Sequence, residues 1–141
     1  MKIYLASSLS NAAAVRQMRD ALRHRGHEIT YDWTSHGSAM AAGQARIAEV
    51  AAAELAGVRA ADGVIVLLPG GRGTHVELGA ALALAKPVIV VGTHVAFNGA
   101  DSYHCAFYYL PGVTRVAHGT GDRDESWANA CVLAWLEELK R

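Results

Sequence analysis

Val64-Ile-Val-Leu-Leu68 is an unbroken apolar run with a helical pattern on either side of it. A strand without polar alternation is covered on both faces, which calls for a parallel sheet between two layers of helices. The rest of the chain repeats that alternation. Lys2 to Ala6 reads as a short buried strand. A helix follows with Val15, Met18 and Leu22 on one face, capped by Ser8, Ser10 or Asn11 and ended by Gly26. His27 to Asp32 reads as a second strand and Trp33 to Ser38 as a polar loop. An alanine-rich helix then spans about 41–60, with Ile47, Val50, Ala51, Leu55 and Val58 as its apolar stripe.

Beyond the central strand, a loop from Pro69 to Gly73 leads into a helix from about His75 to Ala85. Lys86-Pro87 opens a fourth strand, Val88 to Gly92, and Val113 to Ala117 reads as a weaker fifth. The long loop between them, 93–112, carries Phe97, Tyr103, Phe107, Tyr108 and Tyr109. Asp122 with Glu125 offers a capping box for a last helix that buries Trp127, Cys131, Ala134, Trp135 and Leu139. Strict alternation of this kind predicts an α/β fold, a flavodoxin-like (Rossmann-like) doubly wound five-stranded parallel sheet in one domain over 1–141. Ligands of such sheets bind outside the carboxyl ends of the strands, near the topological switch point. The loops Ser7–Asn11, Trp33–Ser38 and Pro69–Thr74 all fall on that edge.

Composition narrows the partners. The 141 residues are 52% apolar, enough for a core without staples. Thirteen basic and thirteen acidic residues cancel. Nucleic acids and anionic membranes attract a basic excess, so neither is the expected partner; a small molecule is. Cys105 and Cys131 are far apart and form no CxxC motif, as expected of free thiols in a cytoplasmic protein. The seven histidines show no ligand spacing, so no metal site is expected.

Leu68-Pro-Gly-Gly-Arg-Gly-Thr-His-Val-Glu-Leu-Gly79 is the segment richest in chemistry. Its glycines, including Gly71 and Gly73, let backbone approach a ligand, and the helix behind them offers free N–H groups. Arg72 can add a charge, and His75 can reach a ligand from the first turn. The segment has neither a Walker lysine nor the GxGxxG spacing, so no nucleotide cofactor is expected. Glu77 has two readings. Thr74-x-x-Glu77 is a capping box by local sequence, with the glutamate returning to the N-cap amide. Its place beside the crevice suits instead an ionised nucleophile, kept charged by the helix dipole. Glu54 lies on or beside the stripe of its helix, either fraying to solvent or pairing with Glu77 across the crevice. Paired carboxylates are what glycoside cleavage with retention uses. Tyr4 reads equally as a core aromatic, and Ser7 and Ser8 as N-cap hydroxyls or phosphate ligands. Trp33 and the aromatics of the long loop suit base stacking or a subunit interface.

With Lys2-Ile-Tyr4-Leu-Ala-Ser7, Ala60-Ala-Asp62-Gly-Val-Ile-Val66 and Gly73-Thr-His-Val-Glu77-Leu-Gly79 together, the chain resembles the nucleoside 2-deoxyribosyltransferase family and its nucleotide N-hydrolase relatives. The resemblance implies a nucleophile at Glu77 that attacks the anomeric carbon, with Tyr4 hydrogen-bonded to it. It implies an acid, an aspartate in the family, at the place of Glu54; the glutamate here lengthens the arm by one methylene. It also implies a homodimer or larger assembly in which a neighbour completes the site, and the stretch from Asn98 to Tyr109 is where that donation is expected. Pro69-Gly-Gly-Arg-Gly-Thr-His-Val-Glu77 is similar, too, to the PGGxGTxxE motif of cytokinin-activating phosphoribohydrolases, although their earlier glycine-rich segment has no counterpart here. Both resemblances imply N-glycosidic chemistry on a nucleoside or nucleotide. Transfer between bases, hydrolysis of a nucleoside 5′-monophosphate, and a silent nucleotide-binding module remain three distinct outcomes.

Overall fold

The computed structural model describes residues 1–99 and 104–141, and all their side chains except those at 122–125. Five parallel strands lie in the order β2-β1-β3-β4-β5. They are β1 (Lys2–Ala6), β2 (Glu28–Ile29), β3 (Gly63–Leu67), β4 (Val88–Thr93) and β5 (Val113–His118). Every residue of β3 is buried, as its unbroken apolar run requires. The helices are α1 (Ala12–His24), α2 (Gln44–Ala60), α3 (Arg72–Ala83), the single turn α4 (His94–Phe97) and α5 (Asp122–Leu139). No helix among the described residues is long and apolar enough to cross a membrane.

Several boundaries differ from those expected. The second strand keeps only two residues, and the polar loop after it folds into two 3₁₀ turns, Trp33–Ser35 and Ala39–Ala42. The helix expected from His75 starts at Arg72, because the Thr74 hydroxyl accepts from the Gly71 N–H at 3.0 Å and caps the turn. Ser8, Ser10 and Asn11 were candidate caps for α1; Asn11 holds that place but makes no side-chain cap bond, donating instead to Ser7 and Leu68. The face of α5 is rotated by one residue: Ala128, Val132, Trp135 and Leu136 are buried, whereas Trp127 and Ala134 are exposed. Two stripes one residue apart compete on that helix, and the one carrying the branched aliphatics packs on the sheet. Tyr103 lies outside the described residues, as do the side chains of Asp122 and Glu125 on which the expected capping box rests.

Helix α2 divides its labour along its length. Its C-terminal half packs on the sheet through Gly57 and Val58. Its N-terminal half does not: Ile47 is half-buried and Ala51 is exposed, so the expected stripe is only partly core. The turn at Gly57 passes so close to the sheet that a Cβ there would stand 2.8 Å from Tyr31 Cβ and 2.9 Å from the Tyr4 ring. Gly79, exposed within α3, has nothing within 4 Å of a Cβ.

Gly57→Ala is therefore expected to destabilise the protein by roughly 1–3 kcal/mol through overpacking. Gly79→Ala should stabilise by about 0.5–1 kcal/mol, the ordinary helix-interior gain. Urea midpoints of the two variants check both signs.

Candidate active site

The carboxyl ends of β1 and β3 mark the point where the chain turns to opposite sides of the sheet, and a cleft of about 430 Å³ opens there. Three loops and one helix wall it. Ser7 and Ser8 come from the end of β1, Gly71, Gly73 and Thr74 from the start of α3, and Trp33 to Met40 from the segment after β2. Ile47, Val50, Ala51 and Glu54 of α2 form the remaining wall. The volume lies within the range that holds small molecules.

Glu77 forms part of the cleft floor and is only 5% exposed. The reason is its place on the helix. Thr74, Glu77, Leu78 and Ala81 recur at the spacing of one helical face and are the buried residues of α3. The capping-box reading of Glu77 fails for the same reason: with the N-cap at Gly71, Thr74 fills the third position and Glu77 sits a turn deeper. In place of a backbone amide, its partner is Tyr4, whose hydroxyl donates to Glu77 Oε1 at 2.6 Å. Tyr4 is fully buried on β1 beneath Gly57. The core reading of this tyrosine and its bond to the glutamate are both realised.

The electrostatics follow burial. Loss of water pushes the Glu77 carboxyl up to about 8; the Tyr4 bond pulls it down and the nearby Glu54 pushes it further up. The expectation of an ionised Glu77 thus gives way to a carboxyl that holds its proton in the free protein at neutral pH. The helix dipole acts on the first turn, and Glu77 lies beyond it. Burial, then Glu77, raises the Tyr4 phenol, so it stays a donor. Glu54 is half-buried and is also raised by burial, an effect opposed by His36. It has no hydrogen-bond partner among the described residues, in contrast to Glu77.

Other expected residues are placed as follows. Ser7 and Ser8 face the cleft, but Ser7 donates to Leu67 O at 2.6 Å and Ser8 pairs with Ser10 at 2.7 Å. Trp33 is buried in the cleft wall with its indole N–H on Leu5 O at 2.8 Å, which anchors the segment after β2. Arg72 is exposed at the first position of α3 and does not line the cleft. His75 points away from it. Its Nδ1 donates to Gly71 O and its Nε2 accepts from the buried Tyr108 hydroxyl, both at 2.7 Å. Asn98 follows α4 and is not on the cleft lining. Tyr108, grouped with the loop aromatics as a stacking candidate, is instead core. Asp62 accepts from the Lys2 N–H at 2.7 Å.

His36 and Met40 are among the cleft residues that escaped the sequence reading. His36 lines the cleft with both ring nitrogens bonded, to Tyr31 Oη at 2.8 Å and to Gly37 O at 3.0 Å. Met40 projects at the mouth, 74% exposed. The signal for both was their place in a loop on the ligand edge of the sheet.

The sequence profile described as nucleoside 2-deoxyribosyltransferase matches residues 3–105, which carry every cleft residue named above. The chain belongs to that family. Among solved structures, this family member is similar to a CMP N-glycosidase of Clostridium botulinum, with 14% identity, a TM-score of 0.65, and 94% of this chain and 98% of that one covered. It is also similar to a conserved protein from Enterococcus faecalis V583, with 21% identity, a TM-score of 0.52, and 93% and 98% covered. Both likenesses are of fold. No curated protein matches the sequence significantly.

The raised Glu77 has a consequence for stability. Its carboxyl titrates near 4.3 when unfolded and about 8 when folded, so the native state favours the protonated form. Stability is lost as pH climbs through that window and levels above it. Glu77→Gln, which cannot ionise, should therefore gain melting temperature relative to the parent at pH 8.5 but not at pH 4.5. Calorimetric scans at the two values check the difference.

Proposed function

We propose that this family member cleaves the N-glycosidic bond of a nucleoside-type substrate with Glu77 as nucleophile. The observation that carries the reading is the buried Tyr4–Glu77 hydrogen bond at the floor of a cleft that Glu54 also lines. A carboxylate out of water, oriented by one phenol, is a positioned nucleophile for an electron-poor carbon.

The substrate lies with its sugar over Glu77 and its base against the apolar wall of Met40, Ile47 and Val50. Glu77 reacts as the carboxylate, its proton already released to solvent: it attacks C1′, the C1′–N bond breaks, and Glu54, directly or through water, gives its proton to the departing base nitrogen. Burial of Glu54 keeps more of it protonated at neutral pH than an exposed carboxyl would be. Positive charge gathers on the sugar as the bond breaks, which favours the ionised Glu77 at that moment. The product is a glycosyl ester. An incoming base that attacks it completes a transfer, and water completes a hydrolysis. The chain works as a homodimer or larger assembly, and the exposed Met40 is an apolar edge at the cleft mouth for a second copy to cover.

Chromatography of reactions with deoxynucleosides, with and without a second free base, tests the reading. A new nucleoside formed only with the added base marks transfer, and free base and sugar formed regardless mark hydrolysis. Glu77→Ala should abolish turnover; substantial residual activity sinks the assignment. With a substrate whose leaving group departs without protonation, Glu54 drops out of the profile; the ionised Glu77 populates as pH rises through about 8, so kcat/KM for that substrate should rise across that range. Tyr4→Phe removes the bond that pulls Glu77 down, so its profile should move to still higher pH.

A further inference from the structure

Glu54 gives up a proton in the reaction above, from a carboxyl that is half-buried in the cleft wall. Once that proton has gone to the base, a negative charge is left where water is partly excluded. Such a charge is costly unless an opposite charge or a hydrogen bond meets it. Glu77 offers only like charge, and Glu54 has no hydrogen-bond partner among the described residues.

His36 is placed to meet that charge. It lines the same cleft from the segment after β2, half-buried, and its ring is held from two sides. Tyr31 Oη lies 2.8 Å from Nε2, and Gly37 O lies 3.0 Å from Nδ1. With Nδ1 donating to the carbonyl, Nε2 accepts the phenol proton and the ring is neutral. Tyr31 is itself pressed against α2: a Cβ on Gly57, one turn along from Glu54, would stand 2.8 Å from its Cβ.

The electrostatics agree with this cluster. Burial raises the Glu54 carboxyl and a charged His36 opposes it. Burial, then Glu54, raises the Tyr31 phenol, with Arg46 opposing. Glu54 acts as well on Tyr4 and Glu77, which complete the ionisable groups around it. Asp32, the carboxylate of His36's own segment, is engaged elsewhere, by Arg19 at 2.9 Å and Arg23 at 3.6 Å.

We propose that His36 is the charge partner of Glu54, a positioning residue that takes a proton from solvent as Glu54 gives its own to the departing base. The role rests on the reaction proposed above. His36 Nε2 gains the proton, and the Tyr31 hydroxyl turns from donor to acceptor, so their bond survives the change. When the glycosyl ester is resolved, Glu54 takes a proton from the incoming base or water, and His36 returns its own to solvent. An imidazole suits the task because it changes charge near neutral pH.

His36→Gln keeps amide groups for Tyr31 and Gly37 but cannot carry the charge. With an ordinary deoxynucleoside its kcat/KM should fall at least about tenfold. An N7-methylated purine deoxynucleoside carries a cationic base that departs neutral without a proton, and here the fall should stay under about twofold. Equal losses on the two substrates, or no loss on either, overturn the proposal. A second readout needs no turnover. The Glu54 carboxyl is titrated by carbon NMR with isotope-labelled glutamate, its signal being the one missing from Glu54→Gln. Its midpoint should lie at higher pH in His36→Gln than in the wild type, and an unmoved midpoint overturns the proposal. Turnover of neither substrate by the wild-type protein strikes the reaction itself, and the midpoint then decides whether His36 governs Glu54.

Discussion

A carboxyl group taken out of water needs compensation, and here most of it comes from one phenol. The Tyr4–Glu77 bond joins the first strand to the helix after the third, across 73 positions of sequence. Much of the local architecture serves it. Gly57 lets α2 lie against the Tyr4 ring, β1 holds that ring opposite Val64, and Thr74 fixes the start of α3 so that Glu77 falls on its inner face. The compensation is partial, because Glu77 still titrates at about 8. On the reading proposed for Glu77, a carboxyl protonated at rest defers part of the cost of its ionisation until a cation-like sugar is present.

The parallel sheet explains why these groups meet at all. Every loop that follows a strand emerges on the same edge, and the two innermost, after β1 and β3, diverge to opposite sides. Ser7, Gly71 and Thr74 face one another across that divergence, while α2 crosses over to bring Glu54. The hydrogen bonds between the loops close the gap. Chemistry and rigidity come from the same few residues.

Much of this was legible in the sequence, for physical reasons that differ by element. The strand Gly63–Leu67 was plain because burial on both faces imposes an uninterrupted apolar run. Tyr4, Glu54 and Glu77 were singled out by motif and by resemblance, and they do gather at one cleft. The start of α3 was misplaced because Gly-Gly-Arg-Gly carries loop composition, whereas the first turn of a helix makes few demands on propensity and accepts it. The face of α5 slipped by one residue because Trp127 and Trp135 offer more apolar area than Val132, yet only Trp135 is buried. The half-lives of His75 and Tyr108 as candidate ligand contacts ended in a bond to each other, which no local pattern announces. Pairings between distant segments are decided by tertiary geometry.

The segment after β2 is fastened at its beginning and free of such fastening farther along. Trp33 is pinned to Leu5, and Asp32 is tied to Thr34 and Arg19. Farther along, Ser38 to Met40 supplies cleft wall with no bond to the sheet among the described residues. On the proposed reading, the reacting floor of Tyr4 and Glu77 and the wall segment Ser38 to Met40 are written in separate stretches of chain. Inheritance can revise the second without editing the first: a lineage can change what it accepts while keeping how it cuts.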